Sequence, residues 1–500
     1  MATEAELKLR LAPTDHAALA RSAALAGARP RRNRVTSFYF DTPGEEIAKA
    51  GMVLRLRRSG RRWVPGLKAG NAARGGLHVR QEWEYPRRDC VIDLSRFADT
   101  PLAELQGAKD LHQRLVAAFR VDVERTTWLL QPMPGVRLEV ALDAGVVESG
   151  GRRDEVSELE IEVLEGGVDP AFALALRLLE DAALHPSAVT KAERGYRLFR
   201  RAHREPVKAA AIDLDDGLTP AAAARHVVAA GIAQLQANEE GVLRSTDPEF
   251  VHQARIALRR TRSALRMFRR AIGEPQARAW RDALGEIAQA LGVARDWDVF
   301  ATETFPQLAA AHGEPALAKT LAASIAKERR TARSTARDAL GTKGYARTVL
   351  ELARWIANDG AGAIVLESLD DFAAATLRKR HKRLLRDAAD LASLPPPERH
   401  RVRIDAKRLR YGTDALQSLF KHKRVREYRK ALEGLQDALG AANDAATATA
   451  LLPRLHAPEE FDAFARGWLA ARVRGDPQLL AKLIADLGDA PRFWDHGHSG

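Results

Sequence analysis

The N-terminal stretch Glu4-Ala-Glu-Leu-Lys8 places two carboxylates and an ammonium group at alternating positions. In an extended strand, alternate side chains point to the same face, so Glu4, Glu6 and Lys8 would project together. Unpaired charges are too costly to bury in an apolar core. The stretch therefore predicts a strand whose charged face either meets solvent or lines a polar cavity.

The same alternation of charged and apolar residues recurs in four later segments. These segments carry Arg55 and Arg57; Arg80, Glu82 and Glu84; Arg137, Glu139 and Asp143; and Glu158, Glu160 and Glu162. An ordinary half-buried sheet with a solvated face would also alternate. Such a face usually intersperses the two signs, whereas these segments are largely sorted into acidic and basic ones. We therefore favour strands that close into a barrel whose lumen holds a metal and a polyanion.

Carboxylates, a divalent cation and many basic side chains together suit phosphoryl transfer. Mg²⁺ or Mn²⁺ binds oxygen ligands, and basic groups neutralise the remaining phosphate charge. The acidic candidates are Glu4, Glu6, Glu158, Glu160 and Glu162. The basic candidates are Lys8, Arg55, Arg57, Lys68, Arg80, Arg125, Lys191 and Arg194. So many basic groups suit a substrate with several phosphates. The chain has no glycine-rich loop ending in Lys-Ser/Thr, which argues against a P-loop ATPase.

The composition is that of a globular, basic protein. A length of 500 residues suggests two or three domains. The net charge is +13, and most of the excess lies beyond residue 200, which indicates an anionic partner. The single cysteine, Cys90, excludes an intramolecular disulfide and fits a reducing compartment. No apolar run approaches the roughly 18 residues of a membrane span, and we expect a cytoplasmic protein.

A change of pattern near residue 204 divides the chain into two parts. Residues 1–203 show the alternation of strands, and residues 204–217 are expected to form a linker. Residues 218–490 are rich in Ala, Leu and Arg with helical periodicity, and residues 491–500 are expected to form a disordered tail. A β domain followed by an all-α domain is the natural division.

The helical part contains an internal repeat. The segment from His252 to Arg262 matches the segment from His400 to Arg410 without gaps, at an offset of 148 residues. At the same offset Asp296 falls on Asp444. Register kept over such a span indicates a duplicated unit. The two aspartates are expected to cap or to pair with neighbouring arginines rather than to bind metal.

Each copy of the repeat places a row of basic residues on one helical face, within a sector of roughly 80°. The rows are His252, Arg255, Arg259, Arg262 and Arg266 in the first copy and His400, Arg403, Lys407 and Arg410 in the second. A solvated surface stripe is the alternative, but such stripes usually include Glu, and these rows have none. We expect an anion-binding face, to which Arg260, Arg408 and His381 would add.

The N-terminal motifs resemble those of the CYTH, or triphosphate tunnel metalloenzyme, superfamily. The matches are, in chain order, Glu4-x-Glu6-x-Lys8, Tyr39-Phe-Asp-Thr42, Leu54-Arg-x-Arg57, Leu67-Lys68, Arg80-x-Glu82-x-Glu84, Glu158-x-Glu160-x-Glu162 and Lys191-x-x-Arg194-Gly195. The resemblance covers residues 1–203. It implies an eight-stranded antiparallel β tunnel with flanking helices that acts on triphosphates with Mg²⁺ or Mn²⁺.

The same resemblance implies roles for individual residues. Glu4, Glu6, Lys8 and Lys68 would be catalytic. The metal would be held by Glu4, Glu6, Glu160 and Glu162, with Glu158 and Glu82 as alternates. The triphosphate would be bound by Lys8, Arg55, Arg57, Lys68, Arg80, Glu82, Arg125, Lys191 and Arg194.

The helical part resembles the CHAD domain through its two His-x-x-Arg-x-x-x-(Arg/Lys)-Arg-x-Arg segments. This resemblance covers about residues 218–487 and implies a duplicated all-α bundle that binds long-chain polyphosphate. The predicted fold class is therefore multidomain α+β. Proteins that pair the two domains resemble bacterial inorganic triphosphatases, and the resemblance implies that this protein associates with polyphosphate granules.

Three functions remain open at this point. The first is an inorganic triphosphatase whose helical domain binds polyphosphate. The second is a nucleotide or thiamine triphosphatase or a class IV-like adenylate cyclase, although no aromatic cluster obviously supplies a pocket for an organic group. The third is a non-catalytic polyphosphate adaptor. Nucleic-acid binding is disfavoured because aromatic residues for base stacking are not interleaved with the basic ones. The pattern does not reveal the oligomeric state.

Overall fold

The computed structural model describes residues 2–106, 110–215, 217–358, 367–391, 393–473 and 477–495. The chain forms two compact units. The first comprises residues 1–205 together with 341–358, and the second comprises 206–340 together with 359–500. None of the described helices combines the length and the apolar character needed to cross a membrane.

Eight antiparallel strands close into a barrel in the first unit. They are β1 (Ala2–Arg10), β2 (Arg31–Asp41), β3 (Met52–Ser59), β4 (Arg62–Arg74), β5 (Leu77–Glu84), β6 (Val116–Met133), β7 (Val136–Ser149) and β8 (Arg152–Glu165). Their order is β5-β4-β3-β2-β6-β7-β8-β1, and β1 pairs back with β5. A two-residue strand, β9 (His185–Pro186), adds to β1. The expected eight-stranded antiparallel β tunnel is confirmed.

Six helices of the first 205 residues flank the barrel. They are α1 (His16–Ala20), α2 (Glu46–Lys49), α3 (Leu102–Gln106), α4 (Leu111–Arg114), α5 (Asp169–Asp181) and α6 (Lys191–Arg200). Leu7 and Leu9 of β1 are fully buried in one cluster with Phe172 and Leu178 of α5. Because neighbouring residues of a strand face opposite sides, Glu6 and Lys8 must point into the lumen. The apolar core therefore lies outside the barrel, and the charged faces line its interior.

In the described stretches that follow residue 219 there are twelve further helices. They are α7 (Pro220–Arg244), α8 (Pro248–Met267), α9 (Arg269–Ile272), α10 (Glu274–Val299), α11 (Phe305–His312), α12 (Pro315–Leu340), α13 (Lys343–Ala357), α14 (Leu369–Asp387), α15 (Pro396–Leu416), α16 (His422–Leu451), α17 (Glu459–Val473) and α18 (Pro477–Asp489). All of them except α13 belong to the second unit. The expected helical second part is confirmed.

The repeated basic segments lie on α8 and α15, which contact each other. The side chain of Asp247 accepts a hydrogen bond from the backbone N–H of Glu249, and Pro248 occupies the first helical turn of α8, a favourable start for a helix. Ala254 and Leu258 are fully buried on the apolar face of α8. Packing of that face leaves the basic row free to line polar surfaces.

Helix α13 departs from the expected domain boundaries, because it belongs to the barrel unit rather than to the helical one. Its residues Ala346, Leu350 and Ala353 are buried in the same cluster as Leu7. The guanidinium group of Arg354 donates two hydrogen bonds of 2.6 Å to the carboxylate of Asp169, which belongs to α5. The prediction that residues 218–490 form one domain therefore misplaces this helix. The apolar face of α13 looks like any other amphipathic helix in the sequence, so its partner is decided only by tertiary packing.

The expected linker is held to the helical unit, and the start of the tail expected to be disordered is packed. Val207 exchanges two hydrogen bonds with the side chain of Asn238, and Ile212 and Leu214 are buried in the helical unit. Phe493 and Trp494 form part of a short helical turn and are 2% and 3% exposed, so the start of the expected disordered tail is packed. In both segments the burial of apolar side chains is favourable, and this burial holds the backbone in place. The last part of the predicted tail, residues 496–500, lies outside the described residues.

Candidate active-site tunnel and basic helical surface

The lumen of the barrel is a cavity of about 280 Å³. Its lining includes most of the residues expected at the site. They are Glu4, Glu6, Lys8, Arg55, Arg57, Lys68, Arg80, Glu82, Arg125, Glu160, Glu162 and Lys191. Glu84, Glu139 and Asp143 also line it, although they were not among the candidate site residues. All three share the strand parity of the predicted residues, so the alternation itself was the signal that could have identified them.

On the β1 side of the tunnel, carboxylates and cations are paired closely. The ammonium group of Lys68 donates hydrogen bonds of 2.5 and 2.8 Å to the two oxygens of Glu4. Lys8 pairs with Glu6 at 3.1 Å and also with Glu160, and Arg80 pairs with Glu6. Burial is the largest influence on the pKa of Glu6 and would raise it, but Lys8, Lys68 and Arg80 together hold this pKa well below its usual range. Glu6 is therefore ionised in the folded protein.

Two arginines of β3 share one carboxylate of β5. Arg55 donates to Glu82 at 2.7 Å and to Glu84 at 2.8 Å, and Arg57 donates to Glu84 at 2.9 Å. Burial is the largest influence on the pKa of Arg55 and would lower it, yet the carboxylates raise the pKa above its ordinary value. Both guanidinium groups are thus fixed and charged along the lumen, in a position to bind phosphate oxygens.

Lys191 sits at the centre of three carboxylates. Its ammonium nitrogen lies 2.7 Å from Asp143, 2.6 Å from Glu158 and 2.9 Å from Glu160. Burial alone would lower the pKa of Lys191, but the three acids hold it well above the ordinary value. These three acids lie close enough together to hold a metal ion. Because the lysine already occupies the space between them, we assign this acidic cluster to Lys191 and not to a metal.

A metal ion fits better at a second group of acids, around Glu162, where fewer basic side chains lie than around Lys191. Glu162 is the register partner of Glu6 on one side and of Glu139 on the other. Within the described part of the chain, neither Glu139 nor Glu162 forms an ion pair. Burial, together with Glu4, Glu139 and Glu6, raises the pKa of Glu162 to about 7. The carboxylates of Glu139 and Glu162, which lack an ion pair among the described residues, fit a hard divalent cation, and the ion-paired Glu4 and Glu6 beside them would complete the set of residues that would hold it.

Two expected site residues do not face the tunnel cavity. Glu158 is almost fully buried and its carboxylate points to Lys191. Arg194 is 4% exposed and donates a 2.6 Å hydrogen bond to the backbone carbonyl of Glu155. Helix α6 explains the second case. A capping box of Thr190 and Glu193 fixes its start. Lys191 then reaches the lumen at the first position, while Arg194 turns toward the backbone of β8.

The matched segment Tyr39-Phe-Asp-Thr42 has a structural role that sequence reasoning did not identify. The buried carboxylate of Asp41 accepts hydrogen bonds from the backbone N–H groups of Ile47 and Ala48 and from the hydroxyl group of Tyr196. It thereby joins the end of β2 to α2 and to α6. Tyr39 itself lines the tunnel and stacks on Phe119 at a ring distance of 4.4 Å.

In the helical unit the two basic rows divide between two places. Arg255, Arg259, Arg403 and Lys407, which we call the central basic cluster, influence one another electrostatically. Burial is the main reason that the pKa of Lys407 falls to about 7, and the three arginines add to it. The Nε atoms of Arg259 and Arg403 are buried without a hydrogen-bond partner. Arg255 pairs with Asp296 at 3.2 Å, as expected for that aspartate.

The other expected polyphosphate residues lie elsewhere. Arg262, Arg266 and Arg408 line a separate cavity of about 850 Å³ between α8, α10, α14 and α15. Arg410 pairs with Asp414 at 3.8 Å. Burial lowers the pKa of Arg260, and the strongest influence that raises it again is the same Asp414. His252 is half-buried and His400 is exposed. Each basic row extends over several turns of its helix, so its two ends meet different neighbouring helices. The single predicted anion-binding face is therefore divided between the central basic cluster and this separate cavity.

His381 contradicts the expectation that it adds to the basic surface. It is 4% exposed, its Nδ1 atom lies 2.8 Å from the hydroxyl oxygen of Tyr428, and its ring packs against Trp494. Burial lowers its pKa to about 4, so the imidazole is neutral. The position within a dense basic run suggested exposure, but at helical spacing this residue falls on the apolar side of α14, beside Leu377 and Leu384.

Comparison with known proteins agrees with the two-part architecture. Residues 2–196 match the CYTH domain, and residues 226–453 match the CHAD domain. The chain is 30% identical over 204 residues to an inorganic triphosphatase from Haemophilus influenzae, a match that covers 40% of this chain and 55% of that protein.

The crystal structure of the CHAD domain from the plant Ricinus communis is also similar. It shows 31% identity and a TM-score of 0.51, and the match covers 57% of this chain and 97% of that one. The chain thus spans little more than half the length of the curated relative, whereas it covers nearly all of the plant domain. By these matches the chain contains a CYTH domain followed by a CHAD domain, in that order.

Proposed function

We propose that the protein is a metal-dependent inorganic triphosphatase whose helical unit binds polyphosphate. The observation that carries the first part is the tunnel itself. Its lumen of about 280 Å³ is lined by seven basic side chains together with Glu139 and Glu162, two carboxylates that have no ion pair among the described residues. Similarity to the inorganic triphosphatase from Haemophilus influenzae supports this choice.

The chain's own residues would bind and orient the substrate. Arg55, Arg57 and Lys68 are held by carboxylates along the lumen, and phosphate oxygens can replace those carboxylates as acceptors. Because the cations are already placed, binding requires little reorganisation of the protein. A divalent ion at Glu4, Glu6, Glu139 and Glu162 would supply Lewis acidity and a water of lowered pKa. We propose Mg²⁺ or Mn²⁺, since the ligands are all carboxylate oxygens.

The lining of the tunnel favours an inorganic substrate over a nucleotide or thiamine triphosphate. Among the described lining residues, Tyr39 is the one aromatic side chain, and its ring is already stacked on Phe119. A base or thiazole ring would find no free aromatic face there. The lumen is also narrow and predominantly charged, which suits a compact polyanion.

A phosphate-release assay tests this proposal. The substrates are inorganic triphosphate, ATP, thiamine triphosphate and long-chain polyphosphate, each with Mg²⁺ or Mn²⁺ and with a chelator control. We expect fastest release from inorganic triphosphate, with loss of activity in Glu4→Gln and retention in Glu165→Gln, whose side chain is exposed on β8. Preference for ATP or thiamine triphosphate would contradict the substrate assignment. No release from any substrate would favour the non-catalytic adaptor.

The second part of the proposal assigns long-chain polyphosphate to the central basic cluster. Arg255, Arg259, Arg403 and Lys407 bring four basic groups together, and two buried Nε donors among them are without a partner. Unsatisfied buried donors and depressed pKa values are costly in the free protein, and an anion would relieve both costs. Polyphosphate binding would also direct the protein to polyphosphate granules in the cytoplasm.

Charge reversal tests the polyphosphate site. Replacing the four residues of the central basic cluster by Glu should weaken binding of long polyphosphate by at least about tenfold while sparing triphosphate hydrolysis. The matched control reverses the exposed Lys421 and Lys423. If the control weakens polyphosphate binding equally, the effect comes from net charge and not from this site. Unchanged binding in the cluster variant would contradict the assignment.

A further inference from the structure

The helical unit has a second basic cavity, apart from the central basic cluster. We call it the lateral cavity; it measures about 850 Å³ and lies between α8, α10, α14 and α15. Ten basic and four acidic side chains line it, which leaves an excess of six positive charges. We propose that the lateral cavity is a binding site for a compact, multiply charged phosphate compound. This proposal is independent of the function proposed for the tunnel.

Three guanidinium groups at the lateral cavity have no carboxylate partner within the described ranges. Arg380 donates a 2.5 Å hydrogen bond to the backbone carbonyl of Arg408, and Arg262 donates one of 3.1 Å to the backbone carbonyl of Arg281. Arg266 forms no ion pair in the same part of the chain. The nearby acid Asp405 is already shared by Arg383 and Arg408. Positive charge is therefore concentrated here without internal compensation.

The backbone leaves room for these side chains. A Cβ atom at Gly412 would lie 2.8 Å from a terminal nitrogen of Arg380, and one at Gly285 would lie 3.1 Å from a terminal nitrogen of Arg262. Both glycines lie within helices, where glycine costs about 1 kcal/mol relative to alanine. The glycines thus allow two arginines to lie close to helix backbones with their guanidinium groups in the cavity.

The internal duplication shows that this concentration of charge is not a necessary consequence of the fold. At the offset of 148 residues, the equivalents of Arg262, Arg266 and Arg281 are Arg410, Asp414 and Arg429. In the second copy Asp414 lies 3.8 Å from Arg410 and 3.5 Å from Arg429, so the acid compensates both arginines. In the first copy an arginine stands where this acid would be. The first copy therefore replaces an internal ion-pair network with an open basic cavity.

The chemistry of the lining identifies the ligand class. Arginine presents planar donors that match phosphate oxygens in a bidentate manner, and arginines make up nearly all the basic groups here. Burial, and then repulsion from Arg408 and Arg266, lowers the pKa of Arg380 to about 10, which an anion would reverse. A cavity of about 850 Å³ can hold a compact anion whole, whereas a long chain could place only one end in it. The end of a short phosphoanhydride chain and a multiply phosphorylated small molecule share this chemistry.

Arginine modification in the full-length protein tests the proposal. The protein is treated with phenylglyoxal in the presence of a chelator, and modified arginines are identified by mass spectrometry. The probes are inorganic triphosphate, inositol hexakisphosphate, orthophosphate and long-chain polyphosphate. We expect triphosphate or inositol hexakisphosphate to reduce modification of Arg266 and Arg380 at least about fivefold, and whichever protects at lower concentration identifies the source.

A matched pair of variants completes the test. Arg266→Asp introduces the acid found in the second copy and should abolish protection of Arg380 while protection of the tunnel residue Arg57 by triphosphate persists. Lys382→Gln, on the exposed side of α14, should change neither. Loss of protection at Arg57 alone would contradict triphosphate binding in the tunnel and would still support the lateral cavity as a binding site.

Three results would overturn the inference. One is equal modification of Arg266 and Arg380 in wild-type protein with and without the compact probes. Another is full protection by orthophosphate at the same concentration, which would mark a general anion site. The third is protection by long polyphosphate alone, in parallel with Arg259 and Arg403, which would make the cavity an extension of the central basic cluster.

Discussion

Glu139 of β7 and Glu162 of β8 are register partners across the tunnel wall, and within the described ranges neither carboxylate has a cationic partner. Every other acid discussed in the tunnel is matched with a lysine or an arginine. The repulsion that raises the pKa of Glu162 therefore marks the place at which the barrel lacks a positive charge.

Removing either of these two carboxylates should weaken metal binding. We expect Glu139→Gln and Glu162→Gln each to lower the affinity for Mn²⁺ by about 10- to 100-fold, because each removes an oxygen ligand or its immediate neighbour. Calorimetric titration of Mn²⁺ measures this without relying on activity. Glu165→Gln is the matched control on β8. Wild-type affinity in both variants would place the metal elsewhere, with the acids around Lys191 as the next position to test.

Lys191 should be essential for stability as well as for substrate binding. Replacing it with Ala leaves the buried Glu158 without an ion pair among the described residues, while Asp143 keeps only Arg125 and Glu160 keeps Arg125 and Lys8. Uncompensated buried charge costs about 3–5 kcal/mol in the free energy of unfolding. Urea denaturation followed by circular dichroism measures the loss. The control Arg153→Ala removes an exposed ion pair with Glu148 and should cost less than about 1 kcal/mol. Equal small losses in both variants would contradict the role of Lys191.

Helix α13 should be required for a stable barrel. A fragment containing residues 1–205 alone exposes the apolar surface that Leu350 and Ala353 cover. We expect this fragment to be less stable than one in which residues 341–358 are joined to it by a flexible linker. In the full-length protein Leu350→Ala should cost about 2–5 kcal/mol. Leu129→Ala, at a position 49% exposed, is the control and should cost little. Equal thermal stability of the two fragments would refute this prediction.

Gly75 gives a second, independent test of the same packing. Its φ angle is +62°, and an added Cβ atom would lie 2.2 Å from the Cβ atom of Ala353. Gly75→Ala should therefore lower the melting temperature clearly, since both the backbone conformation and the contact oppose it. Gly60→Ala is the control. Its φ angle is similar, +61°, but nothing lies within 4 Å of the added atom. The difference between the two variants isolates the contact with α13.

Polyphosphate binding at the central basic cluster should depend on pH. The pKa of Lys407 is lowered from 10.5 to about 7, so the lysine is largely neutral above that pH in the free protein. A bound polyanion favours the charged form, so binding takes up a proton and affinity should fall as the pH rises from about 7 toward 9. In the free protein, the pH dependence of folding stability has the opposite sign to that of polyphosphate affinity. A depressed folded-state pKa means that stability rises with pH between about 7 and 10.5.

The matched variant for this prediction is Lys407→Arg, which keeps the charge at every pH used. It should remove most of the decline in polyphosphate affinity, measured by fluorescence anisotropy with a labelled chain. Lys382→Arg should leave the decline unchanged. A decline of equal size in Lys407→Arg would assign the effect to another group, with half-buried His252 as the nearest candidate.

The alternation of charged and apolar residues determined a large part of this molecule on its own. Side chains in a strand alternate strictly, so the parity of Glu4, Glu6 and Lys8 assigned them to one face, and the same rule held in the other strands. The repeated basic segments likewise revealed a duplicated helical unit, because helical periodicity and a constant offset are properties of the chain. Local geometry is enough for such conclusions.

Only the tertiary structure decided which of these residues meet. Strand register placed Glu162 beside Glu139, and the direction of α6 separated Lys191 from Arg194. Helix packing divided the basic rows into two sites, buried His381, and gave α13 to the barrel. These outcomes depend on contacts between residues far apart in the chain. A local pattern specifies which face a side chain takes, but not which surface that face will meet.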